Sequence, residues 1–142
     1  MVPFWRLELP FRYAIYAAFT LLFLSGAAWL VADQLKDESG AEIWQQVSAN
    51  SLMIHGGAAM LALMLLGALF PLHIGRAWRA KKNRLTGSTM VASNAMLIAT
   101  AFGLYYLGSE EIRPWASDVH IAFGMSLPLL LLMHIKAGRR RG

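Results

Sequence analysis

The chain has 142 residues, of which 57% are hydrophobic and 15% charged, with a formal net charge of +5 and no cysteine. That length allows one domain, 1–142, and the composition is too oily for an ordinary soluble domain of this size. The missing cysteine excludes disulfides, cysteine-ligated iron–sulfur clusters, the usual structural zinc sites and a covalently attached c-type haem.

The first segment, VPFWRLELPFR, carries Arg6 and Arg12 against Glu8, for +1, and is expected on the cytoplasmic membrane surface. An apolar run over Tyr13–Ala32 follows. Its SGAAWLVA stretch resembles a small-residue cleavage site, but a signal core spans only about 7–15 residues. The run is therefore expected to be a retained helix. Asp33–Asn50 carries Asp33, Asp37, Glu38 and Glu42 against Lys36, for −3. This is the first outer loop, with EIWQQV expected along the outer surface.

The second run, Ser51–Ile74, holds His55, Gly56, Gly57 and His73. The loop Gly75–Leu85 carries Arg76, Arg79, Lys81, Lys82 and Arg84, for +5. In the third run, Thr86–Leu107, the stripe Thr86, Thr89, Ser93 and Thr100 reads as helix packing. Asn94 reads as a hydrogen bond to a neighbouring helix, with a haem-side ligand as the alternative. Gly108–Asp118 carries Glu110, Glu111 and Asp118 against Arg113, for −2. The fourth run, about Pro114–Ile135, holds His120, Gly124 and His134, and a tail with Lys136, Arg139, Arg140 and Arg141 adds +4.

Each run has the roughly 20 apolar residues that a membrane-crossing helix needs. Lysine and arginine in short loops favour the cytoplasmic side, which places both termini and the middle loop there. The expected fold is all-α, an integral membrane four-helix bundle with both termini cytoplasmic. Trp5, Trp29, Trp44, Trp78 and Trp115 fall at or beyond the expected helix ends, as interfacial indoles do.

The four histidines lie at the two ends of the second and fourth runs, and the chain has no others. At 100° per residue, the 18 positions from His55 to His73 return to the same face, about 27 Å along a helix. The 14 positions from His120 to His134 return to within about 40°, about 21 Å along. Tilt or a break near Pro71 would absorb the difference in length. Two parallel helices so marked make two facing pairs, His55 with His120 near the outer face and His73 with His134 near the inner. Such imidazole pairs across a bundle are the axial ligand set of a non-covalent b-type haem.

Arg76, Arg79, Arg84 and Lys136 inside, and Arg113 outside, stand near the expected haem propionates. Gly56, Gly57 and Gly124 would leave room for a flat macrocycle, and equally for close helix packing. A lone histidine at a helix end is often only interfacial; four at matched depths are not lone. A bare metal site is disfavoured because the pairs lie far apart and bring no carboxylate. A proton path would need an acid between the two depths.

Four stretches, SLMIHGGAAM, ALFPLHIGRAWRAKKNR, GLYYLGSEEIRPW and DVHIAFGMSLPLLLLMHI, carry a resemblance over Ser51–Ile135. They resemble the bacterial di-haem membrane cytochromes b, broadly the cytochrome b561-like group. The resemblance implies two haem b, with axial roles for His55, His73, His120 and His134, in a bacterial inner membrane. It also implies electron transfer between a membrane quinone pool and a redox partner protein, periplasmic or within a larger complex. Two departures stand out. The His55–His73 spacing is longer than in the respiratory cytochromes b of quinol-oxidising complexes, and the first helix has no histidine. The alternatives are a stand-alone quinone-linked oxidoreductase acting on a small molecule such as superoxide, with Arg113, Tyr105 and Tyr106 beside the site, or a haem-bearing anchor subunit of a respiratory complex.

Overall fold

The computed structural model describes residues 7–39 and 41–140. Their regular structure is helical, with no strand among the described residues. In chain order come α1 (Leu9–Ser39), α2 (Glu42–Leu69), a π-helical turn (Phe70–Ile74), α3 (Gly75–Arg79), α4 (Arg84–Tyr106) and α5 (Ile112–Arg140). Among the described residues four stretches are long and apolar enough to cross a membrane: Leu9–Glu38, Glu42–Arg79, Arg84–Tyr106 and Ile112–Arg139. The chain divides into two compact units, Met1–Arg76 and Ala77–Gly142. Each is built on a helical hairpin, α1 with α2 and α4 with α5.

The helices run further than the apolar runs. Residues expected in an outer loop, Asp33–Asn50, instead extend α1 to Ser39 and start α2 at Glu42. Charge ends an apolar run but not a helix, and the sequence between Gly26 and Gly40 holds neither proline nor glycine. Ser48 donates to Asp33 across the hairpin at 3.3 Å, and Lys36 pairs with the same carboxylate at 2.6 Å. The 31 residues of α1 make about 46 Å of helix, well beyond an apolar bilayer core of about 30 Å. Trp29 consequently lies well inside α1 rather than at its end. At the other end, Pro10 takes an early position in α1, where a missing N–H costs nothing. The rest of the expected surface segment, residues 2–6 with Trp5 and Arg6, lies outside the described residues, as does Arg141.

Burial is inverted relative to a water-soluble bundle. Apart from Ile15 and Leu127, the buried side chains among the described residues are small or polar, among them Ala18, Ser25, Ala32, Ser48, Ala58, Ala62, Ser93 and Thr100. Large apolar side chains such as Met60, Met64, Leu85 and Phe102 face outward. In lipid, apolar burial does not hold helices together; small residues let backbones approach, and packing and hydrogen bonds do the rest.

Those small residues follow a seven-residue repeat. On α1, Ala18, Ser25 and Ala32 are seven apart; on α2, Ser48, Ser51, His55, Ala58 and Ala62 alternate steps of three and four. On α4, Thr86, Ser93 and Thr100 are seven apart, as are His120, Leu127 and His134 on α5. Helices that wrap around each other keep such a repeat on their shared seam. The 40° offset of a straight α5 is thereby taken up by the winding.

The break expected near Pro71 is a π turn. Pro71 has no N–H for the carbonyl of Gly67, which accepts from Phe70 instead. The N–H of Gly75 then reaches back five residues to Phe70. A π turn holds one residue more than an α turn, so the 18-position interval from His55 to His73 is not one of regular α-helix. On a strict seven-residue count His73 falls one position past the seam. The extra residue of the π turn changes that count by one.

Past α3, Lys82 N–H bonds Ala77 O at 3.0 Å and Lys81 N–H bonds Trp78 O at 3.1 Å. This is a Schellman closure, and its left-handed residue is Lys81, at φ 55°. Glycine takes that conformation without the Cβ penalty. Lys81→Gly is therefore expected to stabilise the protein by about 0.5–1 kcal/mol, read as a raised thermal midpoint in detergent. An unchanged or lowered midpoint would count against the closure.

Candidate functional site

The four histidines are all half-buried. In the first unit, His55 sits on the α2 seam opposite Ser25 of α1. Its Nδ1 lies 3.0 Å from the carbonyl oxygen of Leu22 and 3.1 Å from Ser25 Oγ. A carbonyl can only accept, so Nδ1 carries the proton. Ser25 Oγ gives its own proton to Leu21 O at 2.7 Å, shared with Leu22 O at 3.1 Å, and so meets the imidazole as an acceptor. In the neutral ring the lone pair is then on Nε2.

Gly26 makes that seat possible. A Cβ there would lie 3.4 Å from His55 Nδ1 and 3.2 Å from Cε1, the second close enough that the ring would have to shift by a few tenths of an ångström. Ser25 and Gly26, which open the stretch that looks from sequence like a cleavage site, are the surface on which His55 rests.

The second unit repeats the device twice. His120 Nδ1 lies 2.9 Å from Thr100 Oγ1, whose proton goes to Met96 O at 2.8 Å or Leu97 O at 3.1 Å. His134 Nδ1 lies 3.0 Å from Thr86 Oγ1, which reaches Asn83 O at 3.4 Å. His120 Nδ1 thus faces a hydroxyl that donates to its own helix, which places the imidazole as the Nδ1–H donor, while His134 Nδ1 lies within hydrogen-bond distance of Thr86 Oγ1. The interval from Thr86 to Thr100 is 14 residues, the same as from His120 to His134. Antiparallel helices with equal intervals bring both pairs into register at once. The threonine stripe that reads as packing therefore also holds the histidines.

His73 lies within the π turn, and Arg76 is exposed in α3 just beyond it. Arg113 is exposed in the first turn of α5. Arg84 is held against Trp78, donating to its carbonyl at 3.0 Å with the guanidinium 4.8 Å over the ring. Asn94 does not reach another helix through its amide donor: Nδ2 bonds Met90 O of its own helix at 2.8 Å. Added Cβ atoms at Gly56 and Gly57 would meet nothing within 4 Å, and one at Gly124 would only touch Leu97 at 4.0 Å. No group of three or more His, Asp or Glu side chains suited to a metal ion occurs among the described residues. A bis-histidine haem needs two ligands, not three.

Ser25, Gly26, Thr86 and Thr100 are the site residues that reading the sequence misses. The matching 14-residue intervals on the third and fourth runs are the signal that could have found the two threonines. For the α1 residues no comparable repeat points to His55. Together, these features define a helical protein with four membrane-length apolar helices and three histidines whose Nδ1 is engaged by hydroxyl or carbonyl oxygen. Compared with protein-family models, curated proteins and solved structures, the chain finds no match.

Proposed function

We propose that the protein carries electrons across a bacterial inner membrane through two b-type haems, with both termini cytoplasmic. The axial ligands in this reading are His55 with His120 and His73 with His134, paired by their depth along the sequence. The observation that carries the proposal is the state of Nδ1. Ligating histidines characteristically donate their second ring N–H to a carbonyl or another oxygen, which fixes the tautomer and leaves the lone pair on the ligating nitrogen. His55 has that arrangement through Leu22 O and His120 through Thr100 Oγ1, and His134 Nδ1 faces Thr86 Oγ1 at hydrogen-bond distance.

Two further features fit haem. An added Cβ at Gly56 or Gly57 would meet nothing within 4 Å, and the π turn at His73 is the kind of local irregularity that recurs at functional sites. Arg76 and Arg113, exposed near the helix ends, would meet the propionates. When bound, haem supplies a one-electron iron couple. The protein supplies the ligands, their orientation and an apolar surround that tunes the potential. Electrons would enter from or leave to the quinone pool, with a periplasmic or membrane-bound redox partner at the other end.

The test is a reduced-minus-oxidised absorption spectrum of the detergent-purified protein from cells with ample haem, with haem quantified per chain. A b-type spectrum with about two haems per chain is expected. No haem under those conditions would overturn the proposal.

A further inference from the structure

Resting on that reading, we propose that Thr100, Thr86 and Ser25 are positioning residues that set the redox potential of each haem through the histidine they hold. The argument starts from what a hydroxyl in an apolar helix ordinarily does. A serine or threonine there satisfies itself by donating to the carbonyl three or four residues back. Ser25 and Thr100 do this, to Leu21 and Leu22 and to Met96 and Leu97, while Thr86 Oγ1 stands 3.4 Å from Asn83 O. At Ser25 and Thr100 that bond uses the only proton and leaves the oxygen lone pairs for another group. In each case the group presented is the Nδ1 of a histidine on the partner helix, at 2.9–3.1 Å. The same atom pair recurs in two hairpins that differ in sequence. Packing alone needs small residues at these seam positions, and alanine or glycine would serve.

The chemical consequence is directional. An acceptor at Nδ1–H pushes electron density toward Nε2 and makes the imidazole a stronger donor to iron. The ferric state gains more from this than the ferrous, so the potential falls. Reduction takes one electron per iron, Fe(III) to Fe(II), from the reductant used in the titration, and leaves the Nδ1–H bond in place. The three sites are not equal. His55 Nδ1 meets Leu22 O as well as Ser25 Oγ, and His120 Nδ1 meets Thr100 Oγ1.

The experiment is a mediated potentiometric titration, followed by absorption, of the full-length haem-loaded protein in detergent. It compares the native chain with Thr100→Val, Thr100→Ser, Thr86→Val and Ser25→Ala. Thr100→Val keeps the shape and removes the acceptor. It is expected to raise the reduction constant of one haem about tenfold, about 59 mV for a one-electron couple. Thr86→Val should shift the other haem. Ser25→Ala should shift the same haem as Thr100→Val, but by less, because Leu22 O remains. Thr100→Ser should restore the native potential.

If Thr100→Val loses one haem and Thr100→Ser keeps both, the hydroxyl is needed to hold the ring, and the proposal stands. Native potentials in all three hydroxyl-deleted variants would overturn it while leaving the haem reading intact. So would valine and serine behaving alike at position 100. A native protein without haem would overturn the functional reading, and this inference with it.

Discussion

His120→Ala is expected to lower the haem content from about two per chain to about one, and His55→Ala to remove the same haem. Ligands on two helices act as a unit, so the effects should not add. The double variant His55→Ala/His120→Ala should match either single variant, while His55→Ala/His73→Ala should lose both haems. Potentiometry identifies which haem remains in each case. If the two outer-histidine variants lost different haems, the depth pairing would be wrong even with the total correct. The seating of His120 makes this a clean test. The ring is half-buried and lies outside the buried apolar core, so alanine leaves little core packing to collapse.

Gly26→Leu should abolish the His55 site without unfolding the helix that carries it. Leucine is a better helix former than glycine by about 0.8 kcal/mol and is at home in lipid. Local helix stability should therefore not fall. Yet even the first added carbon would sit 3.2 Å from His55 Cε1, and the rest of the side chain would compete for the place of the ring. The expected result is native helix content by circular dichroism with about one haem lost, the one that His55→Ala also loses. Two full haems in Gly26→Leu would mean that His55 does not depend on this seat.

The helices were legible because lipid makes a blunt demand. About 20 apolar residues in a row, bounded by charge, are visible without knowing any contact. The four membrane-length helices agree with the four runs, and only their ends differ. The ends were not legible for a matching reason: hydropathy reports where an apolar layer would stop, while backbone hydrogen bonding decides where a helix stops. Hence Asp33–Ser39 and Glu42–Asn50 are helical though charged.

Sequence by itself determined which residues are candidates. Histidine is scarce, ionisable and costly in an apolar run, so His55, His73, His120 and His134 stand out by type and depth. What each ring does with its second nitrogen was decided by tertiary structure. A hydrogen bond needs two atoms within about 3 Å, and only the register of a helix pair brings residues 30 or 48 positions apart to that distance. That register is set by small residues spread along a whole seam, from Ala18 to Ala32 and from Ser93 to Gly103. No single stretch of sequence contains it. Ser25, Gly26, Thr86 and Thr100 look like packing in one dimension because packing is how they come to face the histidines.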